Sequence, residues 1–150
     1  MGLRSLLRRR RTEPPAALDP ADPSLEVVVE AFEAARADSA VLAEAAERGV
    51  DLTGPLLVRH HLVCLPDADA VARAAELLGQ DGYAVVPAPA AARQLAVLAV
   101  RTQVLTALSA SQERSRMAGL AQRLGGDVEG WDAMAPGGSS GSAPPLRSGP

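Results

Sequence analysis

The chain of 150 residues contains no Lys, no Ile and no Asn, so all 15 of its basic side chains are Arg. One Trp, one Tyr and one Phe are too few aromatic side chains to build a platform on which nucleic-acid bases stack. The net charge of −3 and the isoelectric point near 5.4 also remove the global electrostatic argument for nucleic-acid binding. We therefore expect no direct nucleic-acid partner, and a basic protein is the better electrostatic match.

The single cysteine, Cys64, cannot form an internal disulfide and cannot by itself assemble a thiolate metal site. We interpret it as a small buried hydrophobic side chain. No window approaches the roughly 18 apolar residues of a membrane-spanning helix, and the Leu- and Arg-rich start of the chain lacks the apolar core of a secretory signal. These features predict a cytoplasmic protein without stable membrane insertion.

Sequence motifs for cofactor and metal chemistry are also missing. No glycine-rich phosphate loop of the Walker or dinucleotide type occurs. His60 and His61 are neighbours in a predicted strand, so they point to opposite faces and cannot both bind one metal ion. The acids Asp127, Glu129 and Asp132 do not follow the spacing of a calcium loop. The sequence therefore predicts no catalytic residue, no cofactor and no metal site.

Composition divides the chain into three segments. Residues 1–24 carry four arginines at 8–11 and a Pro-rich stretch, which predicts a basic disordered arm, with weak contact to anionic lipid or RNA as the alternative role of the arginines. Residues 135–150 are rich in Gly, Ser and Pro, which predicts a disordered tail. A single domain over residues 25–134 is the expectation for a chain of this length.

The first part of this domain has apolar residues at helical spacing. Asp22 with Pro23 supplies a start and Gly49 a stop, and the apolar positions between them are Leu25, Val28, Val29, Phe32, Ala35, Leu42 and Ala46. We expect an N-terminal amphipathic helix. Residues 25–55 contain seven acids and two arginines, a local net charge of −5. This is either a solvated helix face or an acidic docking surface, formed in the second case by Glu30, Glu33, Glu44, Glu47 and Asp51.

From Leu56 onward the pattern predicts the element order β-α-β-β-α-β. The apolar run LLVRHHLVCL indicates a buried strand, and Asp67 caps a helix that ends before Gly82. Residues 83–86 and 94–101 predict a hairpin, and residues 127–131 predict a last short strand. Between them, Ser109 and Gln112 fit a capping box that begins a second helix, which ends at two glycines.

This order predicts an α+β fold. We expect a ferredoxin-like β-α-β-β-α-β sandwich over residues 56–134, with both helices on one sheet face and the N-terminal amphipathic helix added. The other sheet face then needs a cover, which the first helix, a partner or self-association would provide.

Two stretches, GVDLTGPLLVRHHLVCLPDADAVARAAELLGQDGYAVV and LAQRLGGDVEGWDAM, resemble the regulator of ribonuclease activity B family. Its members have an acidic helix that ends in D-L-x-x-P-R, a strand with His and a Y-F-P end, a helix, G-Y/F-x-V, and a closing G-G-x-Y-D-G-W-E. Cys64 and Leu65 here replace the aromatic pair before Pro66, and Val128 replaces the Tyr. Over about residues 45–134 the matching positions are Asp51, Leu52, Pro55, His61, Pro66, Gly82, Tyr83, Val85, Gly125, Gly126, Gly130 and Trp131.

The resemblance implies a non-catalytic protein that binds ribonuclease E, whose scaffold region is Arg-rich, and modulates RNA turnover. We expect the acidic face to dock on a ribonuclease E/G-type endoribonuclease. A second contact is expected at the closing motif, through Asp127, Glu129, Trp131 and Asp132. For Trp131 the equally strong interpretation is a structural one, as a plug at the edge of the sheet.

Two other functions are weighed against this one. A self-assembling or small-ligand-sensing ferredoxin-like module predicts a homodimer and no ribonuclease partner. A hydrolase that uses His60 or His61 with Asp67 is the weakest candidate, because the sequence shows no set of nucleophile, base and orienting group.

Overall fold

The fold is taken from a computed structural model that describes residues 15–89 and 95–138. The arginines at 8–11, residue 94 with most of the predicted hairpin turn, and the tail from residue 139 lie outside these ranges. The elements in chain order are β1 (Leu25–Ala31), α1 (Asp38–Glu47), β2 (Leu56–Leu65), α2 (Ala68–Gly79), β3 (Ala84–Pro87), β4 (Leu95–Gln103), α3 (Ala107–Arg123) and β5 (Asp127–Pro136).

The five strands form one antiparallel sheet in the order β1-β5-β2-β4-β3. The prediction of an α+β fold is confirmed, and the elements from β2 to β5 occur in the predicted chain order. The central strand β2 sends alternate side chains to opposite faces. On it, Leu56, Val58 and Leu62 belong to clusters that include helix residues, whereas Leu57 packs with Leu98 and Val100 on the other face.

All three helices lie on the same face of the sheet. Val41 and Leu42 of α1 share a cluster with Val58, and residues of α2 and α3 share one with Leu62. Since Val58 and Leu62 point to the same face of β2, α1 joins the other helices and does not cover the opposite face. Within the described ranges, none of the helices is long and apolar enough to cross a membrane.

The predicted N-terminal helix is wrong over its first half. Residues Leu25–Ala31 form strand β1, and α1 begins only at Asp38. The cause is the β-branched run of three valines, which favours an extended chain, together with antiparallel pairing to β5 from Leu25 opposite Pro136 to Ala31 opposite Trp131. Ala46, predicted on the apolar helix face, is exposed.

The opposite sheet face receives part of its cover from the segment before β1. The Leu18 N–H donates a 2.8 Å hydrogen bond to the Thr102 hydroxyl. The Leu18 side chain packs on the apolar cluster of this face, which is formed by Leu25, Leu57, Leu98 and Val100. Part of the segment predicted as a disordered arm therefore packs on the domain. At the other end β5 continues to Pro136, beyond the predicted domain limit at 134.

Two local predictions are wrong and two agree with the structure. The capping box of α3 is formed by Thr106 and Ser109 rather than by Ser109 with Gln112. Cys64 is exposed rather than buried, because a register shift between Leu62 and Leu65 gives it a left-handed φ of 57°. The Asp67 carboxylate accepts from the Ala70 N–H at 2.8 Å and caps α2 as predicted. The two glycines at 125 and 126 follow the end of α3.

The glycine of the closing motif allows two chain segments to touch. Gly130 has a φ of +153°, and a Cβ built on it would lie 2.5 Å from the Ala31 carbonyl oxygen and 2.7 Å from Phe32 Cδ1. Backbone cannot move away cheaply from such an overlap. The absence of a side chain at Gly130 therefore lets β5 lie against the end of β1.

Replacing Gly130 with Ala is expected to lower the free energy of unfolding by about 2–4 kcal/mol, through strain and overpacking. Gly119→Ala is the matched control, since Gly119 lies within α3 and a Cβ there meets nothing within 4 Å. The control is expected to raise stability by about 0.5–1 kcal/mol. Urea unfolding followed by circular dichroism measures both changes, and equal stabilities for the two variants would contradict the close approach.

Candidate protein-binding surface

A groove runs between the outer edge of β1 and helix α1. Its volume is about 540 Å³, and it is lined by residues 27–33 on one side and by residues of α1 and its ends on the other. Glu30 and Glu33 lie on the strand side, and Glu44 lies on the helix side. Three of the five acids that the sequence grouped on one helix face therefore surround one groove, although a strand and a helix supply them.

The charges of the groove are only partly compensated. The Glu44 carboxylate accepts a hydrogen bond from Arg36 and lies 3.5 Å from the Arg48 guanidinium. The hydrogen bond and charge of Arg36, followed by the charge of Arg48, lower the pKa of Glu44 below its usual value. Glu30 and Glu33 are exposed and form no ion pair with any residue in the described ranges. The strand side of the groove is thus the acidic side.

The groove also presents apolar surface. Val27 and Phe32 are 41% and 39% exposed, and Val28 is half-buried beside them. The Arg48 guanidinium donates a 3.3 Å hydrogen bond to the Val28 carbonyl, at the bulge where the pairing of β1 with β5 shifts. A surface with both apolar contact area and uncompensated acids is suited to a basic, partly apolar segment.

Phe32 connects the groove to a polar cluster on the opposite sheet face. Its ring meets the His61 ring edge-on, with centroids 5.0 Å apart at 80°. His61 Nε2 lies 2.9 Å from Asp132 Oδ2, and Arg59 donates to both oxygens of Asp132 at 2.6 and 2.7 Å. Burial raises the pKa of Asp132, but the hydrogen bonds from His61 and Arg59 and their charges outweigh it, so the pKa lies below its usual value.

This cluster has the chemistry of a structural anchor. Both oxygens of Asp132 are engaged by the fork of Arg59, and His61 shares one of them.

The residues His60 and His61 point to opposite faces as predicted, and Asp67, the carboxylate weighed as a catalytic partner, is occupied in capping α2. In residues 15–89 and 95–138, no group of three His, Cys, Asp or Glu side chains is arranged to hold a metal ion.

Trp131 lies inside the domain and offers no surface to a partner. It is 1% exposed, and its indole N–H donates a 3.0 Å hydrogen bond to Asp38 Oδ1. The Arg114 guanidinium lies 3.2 Å from the same oxygen and donates to the Ala31 carbonyl at 3.0 Å. Direct contact with a partner is equally closed to Asp132, which is also buried.

The remaining predicted acids are exposed but do not line the groove. Glu47 is the last residue of α1, and Asp51 follows it and accepts hydrogen bonds from the N–H and hydroxyl of Thr53. These bonds lower the pKa of Asp51, since they favour the charged carboxylate. Asp127 and Glu129 lie near the start of β5. Their role as a second contact stays a prediction.

The other residues of the family motifs have structural positions. Gly82 has a φ of +81° at the turn before Tyr83. Pro66 packs on Gly125, where an added Cβ would meet it at 3.4 Å, and a Cβ on Gly126 would overlap the Val63 carbonyl at 2.8 Å. The motif glycines therefore mark turns and close approaches of the backbone.

Tyr83 belongs to a second polar cluster, on the helix face of the sheet. Arg101 lies 4.2 Å above its ring and pairs with Glu113. Burial, followed by the charge of Glu113, raises the pKa of Tyr83. His60 is 1% exposed here, and its Nε2 lies 3.8 Å from Glu113, too far for a hydrogen bond.

Several residues of the surface were not predicted. Arg36, Arg48 and Phe32 line the groove, and Arg59 holds Asp132. A signal existed for Arg59, because Arg59 and His61 are two residues apart on a strand and share a face. Two donors side by side indicate a common acceptor. No comparable pattern pointed to the arginines of the groove.

The sequence profile of the family described as "Regulator of ribonuclease activity B" matches residues 35–133. The chain belongs to this family. The match spans α1 to the Ala133 position of β5, and strand β1 precedes it. Among curated proteins and among solved structures, none matches the chain.

Trp131→Phe is expected to lower the free energy of unfolding by about 2–4 kcal/mol, because it removes the donor to a buried carboxylate and part of the core volume. Since Trp131 is buried, the folded variant is expected to bind a partner as the wild type does. Urea unfolding and binding measurements at full folding check the two expectations. Weaker binding without loss of stability would contradict the buried position.

Asp132→Asn is expected to lower the free energy of unfolding by about 2–4 kcal/mol at neutral pH, because Arg59 loses its charged partner. The pKa of Asp132 is lower in the folded state than the usual 3.8, so its contribution is complete above that value and is lost as the pH falls through the folded pKa. The difference between wild type and variant should therefore shrink below pH 3.8. Exposed Asp127→Asn is the control, with a change within about 0.5 kcal/mol.

Proposed function

We propose that the protein docks on a ribonuclease E/G-type endoribonuclease and modulates RNA degradation without catalysing a reaction itself. Membership of the regulator of ribonuclease activity B family supplies the link to ribonuclease regulation. The observation that carries the docking site is the groove between β1 and α1, where Glu30, Glu33 and Glu44 meet beside exposed apolar side chains.

The acidic side of the groove would act first on the rate of encounter. Exposed carboxylates without local counter-charges attract a basic segment over about 8–10 Å at physiological ionic strength. Contact with Val27 and Phe32 then adds apolar burial, which charge alone does not provide. Glu47 and Asp51 extend the negative field beyond the groove, and Asp127 with Glu129 remain a proposed second contact.

A regulatory role fits the polar clusters better than catalysis does. Asp132 is fixed by Arg59 and His61, and Asp38 is fixed by Trp131 and Arg114. Groups with such complete partners position the fold and have little freedom to transfer protons to a substrate. We infer a non-enzymatic protein, with no cofactor, that works through its surface.

Two further assignments are part of the proposal. We assign the elements from β2 to β5 to a ferredoxin-like unit, supported by the strand order β5-β2-β4-β3 and the helices on one face. In this assignment β1 and α1 are additions at one edge. We also place the protein in the cytoplasm, where its one cysteine would stay reduced and a ribonuclease partner would be available.

Charge reversal tests the docking groove. The double variant Glu30→Lys, Glu33→Lys should weaken binding of the endoribonuclease at least tenfold at low salt and flatten its salt dependence, since steering is lost. Asp69→Lys, Glu76→Lys is the matched control, with two exposed acids of α2 and the same charge change. This control is expected to change the affinity for the endoribonuclease less than twofold, as measured by biolayer interferometry.

Equal losses in the two double variants would show that only net charge matters and would overturn the groove. Absence of any binding by the wild type, together with a concentration-dependent dimer in sedimentation, would overturn the ribonuclease partner. The self-assembling module would then be the better interpretation.

A further inference from the structure

Strand β1 is an edge strand with one side open. It pairs with β5 on one side, and no other strand of the described ranges pairs with it. Its other edge faces the groove, so main-chain groups there are left outside the sheet ladder. Such an edge is a template on which another extended chain can pair. One acceptor of this edge is already engaged, because Arg48 donates a hydrogen bond to the Val28 carbonyl. A bulge also interrupts the strand.

The charges along the edge select the kind of chain that would pair. Glu26, Glu30 and Glu33 are exposed and lack ion pairs with any residue of the described ranges. Glu26 lies opposite Ala135 and Glu30 opposite Asp132 of β5, so the bulge between them directs the two acids to opposite faces of the sheet. Opposite charges directly across two strands stabilise their pairing, so a chain that carries basic side chains fits this edge.

A second copy of the chain is a poor occupant. The antiparallel register that pairs all seven residues of β1 with β1 of another copy sets Leu25 opposite Ala31, and it therefore sets Glu26 opposite Glu30 in both directions. Like charges directly opposite each other destabilise a strand pair. A second copy is thus disfavoured in this full-length register, while the edge remains open to a basic chain.

The apolar surface of the groove gives such a chain a place for its smaller side chains. Val28 is half-buried at the strand and Val41 lines the groove from α1, while Val27 and Phe32 stay exposed beside them. An extended segment that alternates basic and small apolar residues would direct its basic set to Glu30, on the sheet face of Asp132, and its apolar set to Val28 and Val41 on the helix side.

We propose that the groove binds an extended, arginine- or lysine-containing segment of the partner protein as a sixth strand on the outer edge of β1. The inference deepens the proposed function and rests on it for the identity of the partner. It adds that recognition uses the main chain of the partner as well as its charge. It also requires that Arg48 releases the Val28 carbonyl before a sixth strand pairs with β1 there. Since β1 precedes the matched residues 35–133, this edge lies outside the part that the family profile describes.

The first test uses the full chain with the intact endoribonuclease and with overlapping synthetic peptides tiled over that enzyme. Hydrogen exchange of the amides of residues 25–33, followed by mass spectrometry, is expected to slow at least tenfold in the complex. A binding peptide is then resynthesised with N-methyl groups at alternate residues, in each of the two phases. Methylation in one of the two phases should abolish binding, because it keeps the charge of the peptide and removes the main-chain N–H groups that would pair with β1.

The second test separates the hydrogen bond from Arg48 to the Val28 carbonyl from the positive charge of Arg48. Arg48→Gln and Arg36→Gln each remove one positive charge from the groove, and both arginines contact Glu44. Only Arg48 holds the Val28 carbonyl. Arg48→Gln should therefore tighten peptide binding at least threefold more than Arg36→Gln does. Equal effects of the two variants would mean that peptide affinity depends on the charge of the groove alone, and the proposal of strand addition would be overturned.

The outcomes keep the two proposals apart. If the endoribonuclease binds and the lysine variants weaken it, but residues 25–33 gain no protection and both methylated peptides still bind, docking stands and strand addition is overturned. If neither the enzyme nor any peptide binds, the proposed function itself is overturned. Protection of residues 25–33 without any partner, in step with dimer formation, would assign the edge to a second copy and overturn the inference.

Discussion

The fold depends on one buried carboxylate, that of Asp38. It accepts the indole N–H of Trp131 from β5 and lies 3.2 Å from the guanidinium of Arg114 from α3. Arg114 reaches on to the Ala31 carbonyl at the end of β1. Asp38 is also the first residue of α1, so a single charge fixes that helix against three other elements. Removing one partner of such a pair leaves an uncompensated charge, which costs about 3–5 kcal/mol. The two sides of the groove, β1 and α1, are held at their spacing by this contact.

The sequence predicts the elements from β2 onward because each has strong local signals. Alternating or continuous apolar residues, the Asp67 cap and the paired glycines at 125 and 126 all act within a few residues. The helix predicted for the first element is wrong, because Leu25, Val28, Val29 and Phe32 fit a helical period while Leu25, Val27, Val29 and Ala31 also fit a strand. What decides between them is pairing with β5, whose residues lie about a hundred positions later in the chain. No local pattern contains that information.

The candidate site was predictable to the extent that it consists of charge. The density of acids between residues 25 and 55 pointed to Glu30, Glu33 and Glu44, and the groove brings these together. The contacts that shape the site join residues far apart, such as His61 with Asp132 and Trp131 with Asp38. Trp131 is the only Trp of the chain, and its neighbours in sequence are glycines and acids, which do not indicate burial. Only the tertiary structure shows that it fills the core.

The burial pattern along β1 divides its residues into a core set and a surface set. Val29 and Ala31 are buried in the core, whereas Glu26, Val27 and Glu30 face outwards. The strand also precedes the segment that the family profile matches. Some positions of this seven-residue strand thus maintain the fold, and others provide its surface chemistry. Substitutions at the outward positions can accumulate over generations without disturbing the interior, so relatives within one family can differ in the surface chemistry of this edge.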